Sequence, residues 1–540
     1  MVQSIDRRTF LKSLSAGLAA GAGGGSLWPD ETLQKTERPN VVLIYIDDMD
    51  FTEIGAYGGK VLTPNMDSLA SDGCLFERAY VVSAVCSPSR YGLLTGNYSS
   101  RSNFYKQRYS SKGEPQCIGN WPGPLLQSSE KTFAHVMKNA GYTTGFVGKW
   151  HLSNPNDFIE ALDSDADLNE PDVREKVDYN YKIMQKTVAK LGGFDYVESL
   201  YWHNKFHLGV PKPLQVHNMD WITKGSLDFI NENKHRPFFL NINTTLPHQG
   251  IFQKWHDPKD ESWKEWLLED RRKTPKGMLE NAPDVQPSGE DVIKRVEKAG
   301  LHSSTSIMTW IDDSIGAVLK KLDDAGISEN TLVMLMSDHQ TRGKFTPYEK
   351  GIRVPFMVKW PKVVRPSSKY GRLVGNIDIS ATVLEACGID KSLEAANDGK
   401  SFLPCLLGNS KTVRNSLLVE MGYSKAIVTE RWKYIAIRYP QDVKKQIEMK
   451  GRKSFDLTGR NKIKYNPKLK YSEQWKGHRA VYVKFPNYYD FDQLYDLKND
   501  PEERVNLAAK AEYKDQLDEM KDILKKYMEK IPQKFGEFNS

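Results

Sequence analysis

At 540 residues the chain exceeds one ordinary core, so a large domain with a smaller companion is the expected plan. Hydrophobic residues make up 39% and charged residues 27%, the balance of a globular protein, and no run of about 18 apolar residues argues for a spanning helix or stable membrane insertion. A formal net charge of +7 permits an anionic substrate without demanding nucleic acid, and the five cysteines, Cys74, Cys86, Cys117, Cys387 and Cys405, form no CxxC pair that would suggest zinc.

Taken in chain order, "DRRTFLKSLSAGLAAGAGGGS" places Arg7 and Arg8 before a mildly apolar Ala/Gly/Leu stretch. This reads as a twin-arginine export signal and leader over residues 1–30, directing the chain to the periplasm or outside the cell. "NVVLIYIDD" (40–48) is a short β-branched run ending in acids, a buried parallel strand. Residues 128–152 read as helix, glycine stop and strand. That unit recurs in "MDWITKGSLDFINENKHRPFFLNINTTLPH" and "IMTWIDDSIGAVLKKLDDAGISENTLVMLMSDH", and "VPFMVKW" and "VGNIDISATVLEACGI" add a strand and a helix. Such alternation predicts an α/β sandwich around a mostly parallel sheet, over residues 38–412. Three long polar stretches, 101–127, 153–220 and 249–300, interrupt it. From about residue 413, "AIVTERWKYIAIRY" and "HRAVYVKF" alternate like antiparallel strands and a charged amphipathic helix follows, so 413–540 reads as a small α+β subdomain.

The predicted strands end in polar residues: Asp47-Asp48, Lys149 and His151, His248, and Asp338-His339. In open α/β sheets the site lies beyond the carboxyl ends of the strands. Adjacent carboxylates at the end of a buried strand repel and are costly to bury unpaired, which a hard cation relieves. Oxygen-rich sets suit Ca²⁺ or Mg²⁺ over zinc. Cys86, in "AVCSPSRYGLLTG", opens a predicted helix whose first N–H groups favour anions, and Arg90 stands one turn later on the same face. On these residues alone Cys86 is a small buried residue, a disulfide partner, a metal ligand or a thiol nucleophile.

"CSPSRYGLLTG" resembles the signature of the type I sulfatases of the alkaline phosphatase superfamily, Cys-x-Pro-x-Arg followed by Leu-Thr-Gly. "PNVVLIYIDDM", "GYTTGFVGKWHL", "LPHQ", "SDHQTRGKFTPYEKGIRVPFMVKWP", "NIDISATVLEACGI" and "QLYDLKNDPEERVNLA" resemble further segments of that family in its order, from about residue 38 to 510. The resemblance implies an alkaline phosphatase-like fold and a sulfuric ester hydrolase. It implies that a maturation enzyme oxidises Cys86 to formylglycine, whose hydrate offers one hydroxyl to attack sulfur and another to eject sulfate. It assigns one Ca²⁺ to Asp47, Asp48, Asp338, His339 and the oxidised Cys86. Many relatives carry Asn where His339 stands, so His339 either ligates through nitrogen or contacts the nucleophile or sulfate. Arg90 and Lys149 steady the hydrate, His151 is the base for its collapse, and His248 is the acid for the leaving oxygen, helped by Lys344. Lys344 rather than Lys350 matches the family's spacing, and Glu349 and Arg353 read as structural.

The interrupting stretches mix aromatic rings with Arg, Lys and His, which suits a sulfated carbohydrate, and Arg108, Trp202, His203 and His217 are the candidate substrate contacts. The basic stretch 444–484 is either a solvated loop or a subsite wall. Two other functions fit the same scaffold: a phosphonate or phosphate ester hydrolase sharing the nucleophile, and a non-catalytic sulfated-glycan binding protein in which Cys86 is never matured.

Overall fold

The first strand of the computed structural model, β1 (Asn40–Ile46), is apolar at nearly every position and wholly buried, as a central strand covered on both faces requires. The structure describes residues 38–540 except 110–116, 120–122, 249–260, 262, 390–397, 410–411, 440, 451–484, 489, 532–534 and 536–540. The expected signal at 1–30, the strand "HRAVYVKF" apart from its last residue, and most of the basic 444–484 stretch lie outside the described residues.

Around β1 run β2 (Cys74–Phe76), β3 (Thr143–Lys149), β4 (Tyr196–Tyr201), β5 (Phe238–Asn243), β6 (Thr331–Ser337), β7 (Phe356–Lys359) and β8 (Ser368–Tyr370). They form one eight-stranded sheet in the order β8-β2-β7-β6-β1-β5-β3-β4. Strands β6, β1, β5, β3 and β4 are neighbours and parallel, while β7 runs antiparallel between β6 and β2. The α/β sandwich around a mostly parallel sheet is therefore the observed architecture. Helix α1 (Cys86–Thr95) and α2 (Phe133–Asn139) pack with each other and with α6 (Asp378–Ala386). Between these in chain order, α3 (Pro171–Gly192), α4 (Met219–Asn233) and α5 (Ser306–Asp324) lie among a second set of contacts, α4 against both α5 and strands β3 to β5.

The stretch 153–220 is not the simple interruption its polarity suggested. It holds the 22-residue α3 and the sheet's edge strand β4. Helix α3 carries Val173, Val177, Tyr181, Met184 and Val188 at helical spacing, one inward apolar stripe on an otherwise largely solvated helix, which the overall polarity of the stretch conceals.

Beyond residue 413, β9 (Ser416–Met421), β10 (Ser424–Thr429), β11 (Trp432–Ile437) and β12 (Asp492–Asp496) form a separate antiparallel sheet in sequential order, with α7 (Lys514–Lys530) packed on β9 to β11. This sheet is tied to the segments on both sides of α1: the Glu420 N–H donates to Val82 O at 2.8 Å before it, and the Glu420 carboxylate accepts from the Ser100 N–H at 3.0 Å after it.

Candidate active site

Register brings the acids together. In the parallel β1–β6 pair Ile46 lies opposite Ser337, so the next residues, Asp47 and Asp338, leave adjacent strands side by side. Tyr45 lies opposite Asn243 on β5, and the Thr244 hydroxyl accepts from the Asp47 N–H at 3.2 Å. Asp48 turns off the strand with φ of 66°, a left-handed conformation costly for a non-glycine residue, and its N–H donates to Asp338 Oδ1 at 2.9 Å. Strand β3 contributes through a bulge between Val147 and Gly148. A Cβ on Gly148 would lie 1.7 Å from Asn243 O, so only glycine allows this approach, which sets Lys149 at the strand end.

At the centre is Cys86, the first residue of α1 and fully buried. Its sulfur lies 3.4 Å from His339 Nε2. That nitrogen is also 3.0 Å from Asp48 Oδ1 and 3.6 Å from Asp338 Oδ1. One ligating atom from each of Asp47, Cys86, Asp338 and His339 falls within 4.8 Å of the others, and the same holds for Asp47, Asp48, Cys86 and His248.

Cations answer these acids. Lys149 Nζ donates to Asp47 Oδ2 at 2.5 Å, and Lys344 Nζ lies 2.8 and 2.9 Å from the two Asp48 oxygens. The Arg90 guanidinium, 2% exposed, reaches Asp338 at 3.1 Å and Asp47 at 3.6 Å, donates to Asn243 Oδ1 at 2.9 Å and to Lys149 O at 3.0 Å, and lies over the Tyr45 ring. Arg90 thus grips the carboxylates in addition to sharing a helix face with Cys86. Asn243, Thr244 and Ser89, which donates to Asp338 O at 2.6 Å, were not singled out from sequence. The signal available was the polar alternation "NINTT" at the end of a buried strand.

Burial raises the carboxyl of Asp47 above its ordinary range, against the pull of Lys149, and Asp338 and Asp48 push it further. Its Oδ1 accepts no hydrogen bond. Three buried carboxylates with an unsatisfied oxygen are what a divalent cation neutralises, so these residues fit a metal. Burial would raise the Cys86 thiol, but Lys149 and Lys344 overcome it and bring it down to about 6. Burial would lower His339, but Asp338 and Asp48 carry it up to about 9. His151 and His248 are held well below the ordinary imidazole range, by burial first and then by Lys149. Both are therefore neutral before an anion arrives. A bound sulfate ester opposes the lysine field and favours the proton an acid at His248 needs.

The candidate substrate contacts divide. The His203 ring is 4.4 Å from that of His151 and 5.3 Å from that of His207. His217 hydrogen-bonds Thr245 Oγ1 at 2.9 Å through Nδ1, leaves Nε2 without a hydrogen bond, and packs on Trp266. Trp202 is 0% exposed, sunk in the core against Tyr181, so it has no face for a sugar and a stacking role is withdrawn. Arg108 is exposed on the helix Asn103–Tyr109, and among the described residues no contact ties it to the centre. Lys350 pairs with Glu502 at the surface, and Arg353 donates to Glu77 O. No disulfide joins any of the five cysteines.

The sulfatase family profile matches residues 39–389, from β1 through α6. The chain belongs to the sulfatase family. A second profile, described as N-sulphoglucosamine sulphohydrolase, C-terminal, matches residues 338–453. The chain is 28% identical to the ulvan-active sulfatase of Formosa agariphila over 90% of its own length and 80% of the relative's. It is 26% identical to the N-acetylgalactosamine-6-O-sulfatase of Bacteroides thetaiotaomicron over 92% and 95%. A protein solved with its substrate D-glucosamine-2-N,6-O-disulfate shares the fold at a TM-score of 0.57 and 19% identity, over 91% of this chain and 98% of that one. This sulfatase is accordingly a sulfuric ester hydrolase.

Proposed function

We propose that the chain removes sulfate from sulfated carbohydrates, with formylglycine made from Cys86 as nucleophile beside one calcium held by Asp47, Asp48, Asp338 and His339. The observation that carries this reading is Cys86 itself: a buried sulfur at a helix start, among three buried carboxylates and two lysines. A thiol is a poor neighbour for a hard cation, whereas an oxygen nucleophile suits one. The formylglycine hydrate supplies that oxygen, and calcium would lower its proton affinity and offset the sulfate charge.

Around it, Arg90 pairs with Asp338 and Asp47, and Lys149 with Asp47, which holds these carboxylates in place. Neutral His151 accepts the proton released as sulfate departs, and His248 delivers one to the leaving oxygen, with Lys344 supporting the negative charge that develops there. Residues 38–412 carry these groups and 413–540 brace them. The carbohydrate reading draws on relatives named for ulvan and for 6-O-sulfated amino sugars. His203 and His217 would meet the sugar on the leaving-group side. Arg7-Arg8 support twin-arginine export, a route that carries folded protein, so maturation and metal loading would precede it.

The test joins two measurements on protein made with a maturation enzyme: the mass of the peptide containing residue 86, and sulfate release from defined oligosaccharides. An aldehyde or hydrate mass with sulfate release is expected. Full activity with an intact thiol refutes the nucleophile, and turnover of aryl phosphates or phosphonates without sulfates refutes the substrate.

A further inference from the structure

The segment bearing Asp338, His339 and Lys344 is anchored from the C-terminal sheet. Lys433, the second residue of β11, is 0% exposed, and its Nζ lies 2.8 Å from Glu349 Oε1 and 2.8 Å from Glu503 Oε1. Glu503, at φ 55°, also accepts the Glu349 N–H, and Glu349 accepts from the Tyr80 hydroxyl at 3.0 Å. Tyr348 adds a bond to Gln493 of β12 at 2.7 Å and stacks on Phe485 at 4.0 Å. Two carboxylates and one lysine are thus buried together where the short helix Glu349–Ile352 begins.

That helix is the platform under the catalytic segment. Gln340, next to His339, donates from its backbone to Gly351 O at 3.0 Å and from its side chain to Glu349 O at 3.2 Å. A Cβ on Gly343 would lie 2.4 Å from Gly351 N, so the backbone just before Lys344 rests directly on the helix. Any shift of Glu349 is therefore passed through contacting backbone to His339 on one side and Lys344 on the other.

We infer that Lys433 is a positioning residue for the sulfatase reaction: by neutralising Glu349 and Glu503 it holds the helix that sets Lys344 and the Asp338–His339 pair. Without it two buried carboxylates face each other, and their repulsion displaces the helix. The consequence falls on the transition state, because Lys344 acts on charge that develops only there. This rests on the proposed role of Lys344.

Lys433→Met, Lys433→Arg and Lys344→Ala are compared with the parent in calcium, below each melting transition, with rates normalised to the fraction of chains carrying formylglycine. For Lys433→Met, kcat on 4-nitrophenyl sulfate is expected to fall about tenfold with KM changed less than about twofold, and Lys433→Arg to recover most of the loss. A lowered melting temperature with unchanged kcat makes Lys433 merely structural and overturns the inference. If Lys433→Met does not fold, Lys433→Met combined with Glu503→Gln, which removes the facing pair of carboxylates and keeps an acceptor for the Glu349 N–H, is expected to hold kcat within about twofold of the parent, and a tenfold fall there overturns the inference. Full activity in Lys344→Ala would instead overturn the site reading beneath it.

Discussion

Replacing Arg90 by Met removes the one guanidinium that spans Asp338 and Asp47 while keeping much of the side-chain volume. At an effective dielectric of about 20, a unit charge 3.1 Å from Asp338 is attracted by roughly 5 kcal/mol, and the 3.6 Å contact with Asp47 is worth about the same. Most of that sum offsets the cost of burying the charges, so the net loss on removing one partner is about 3–5 kcal/mol. Asn243 Oδ1 and Lys149 O also lose their donor. Denaturation in urea, with the metal chelated, should therefore show Arg90→Met less stable by about 3–5 kcal/mol, and turnover should be lost. Excess calcium should shrink the stability difference, because a cation between the same carboxylates takes over part of the neutralisation. A loss under about 1 kcal/mol in chelator, or an equal loss with and without calcium, would refute the electrostatic account.

Chelation of the parent should lower both activity and melting temperature, with calcium at about 100 times its dissociation constant restoring roughly 2.7 kcal/mol; activity persisting in metal-free protein refutes the site. His217→Ala should raise KM for a sulfated oligosaccharide more than for a small aryl sulfate, since His217 would touch the sugar and not the sulfate; equal changes on both substrates refute a sugar contact. Cys86→Ala should abolish turnover while leaving the unfolding transition cooperative; residual turnover above background refutes nucleophilic attack from position 86. Changing Arg7 and Arg8 to Lys should strand the precursor in the cytoplasm, and its normal export would refute the twin-arginine reading.

The sequence by itself indicated the parallel strands, because short apolar runs such as 40–46 and 331–337 alternate with helical segments, as strands covered on both faces do, and a parallel sheet gathers its carboxyl ends on one edge. It marked Asp47-Asp48 and Asp338-His339 because adjacent polar groups closing a buried strand are costly without a cation, whereas Cys86-x-Pro-x-Arg90 stood out by its resemblance to the family signature. Strand β4 and helix α3 are concealed by the overall polarity of 153–220, although the stripe Val173, Val177, Tyr181, Met184 and Val188 keeps helical spacing. Only the tertiary structure decided which groups meet. The β1–β6 register puts Asp47 beside Asp338, Gly148 lets Lys149 approach Asn243, and Trp202 sinks into the core while His203, its neighbour, faces His151. Such choices rest on contacts between residues tens to hundreds of positions apart, which local composition and period do not encode.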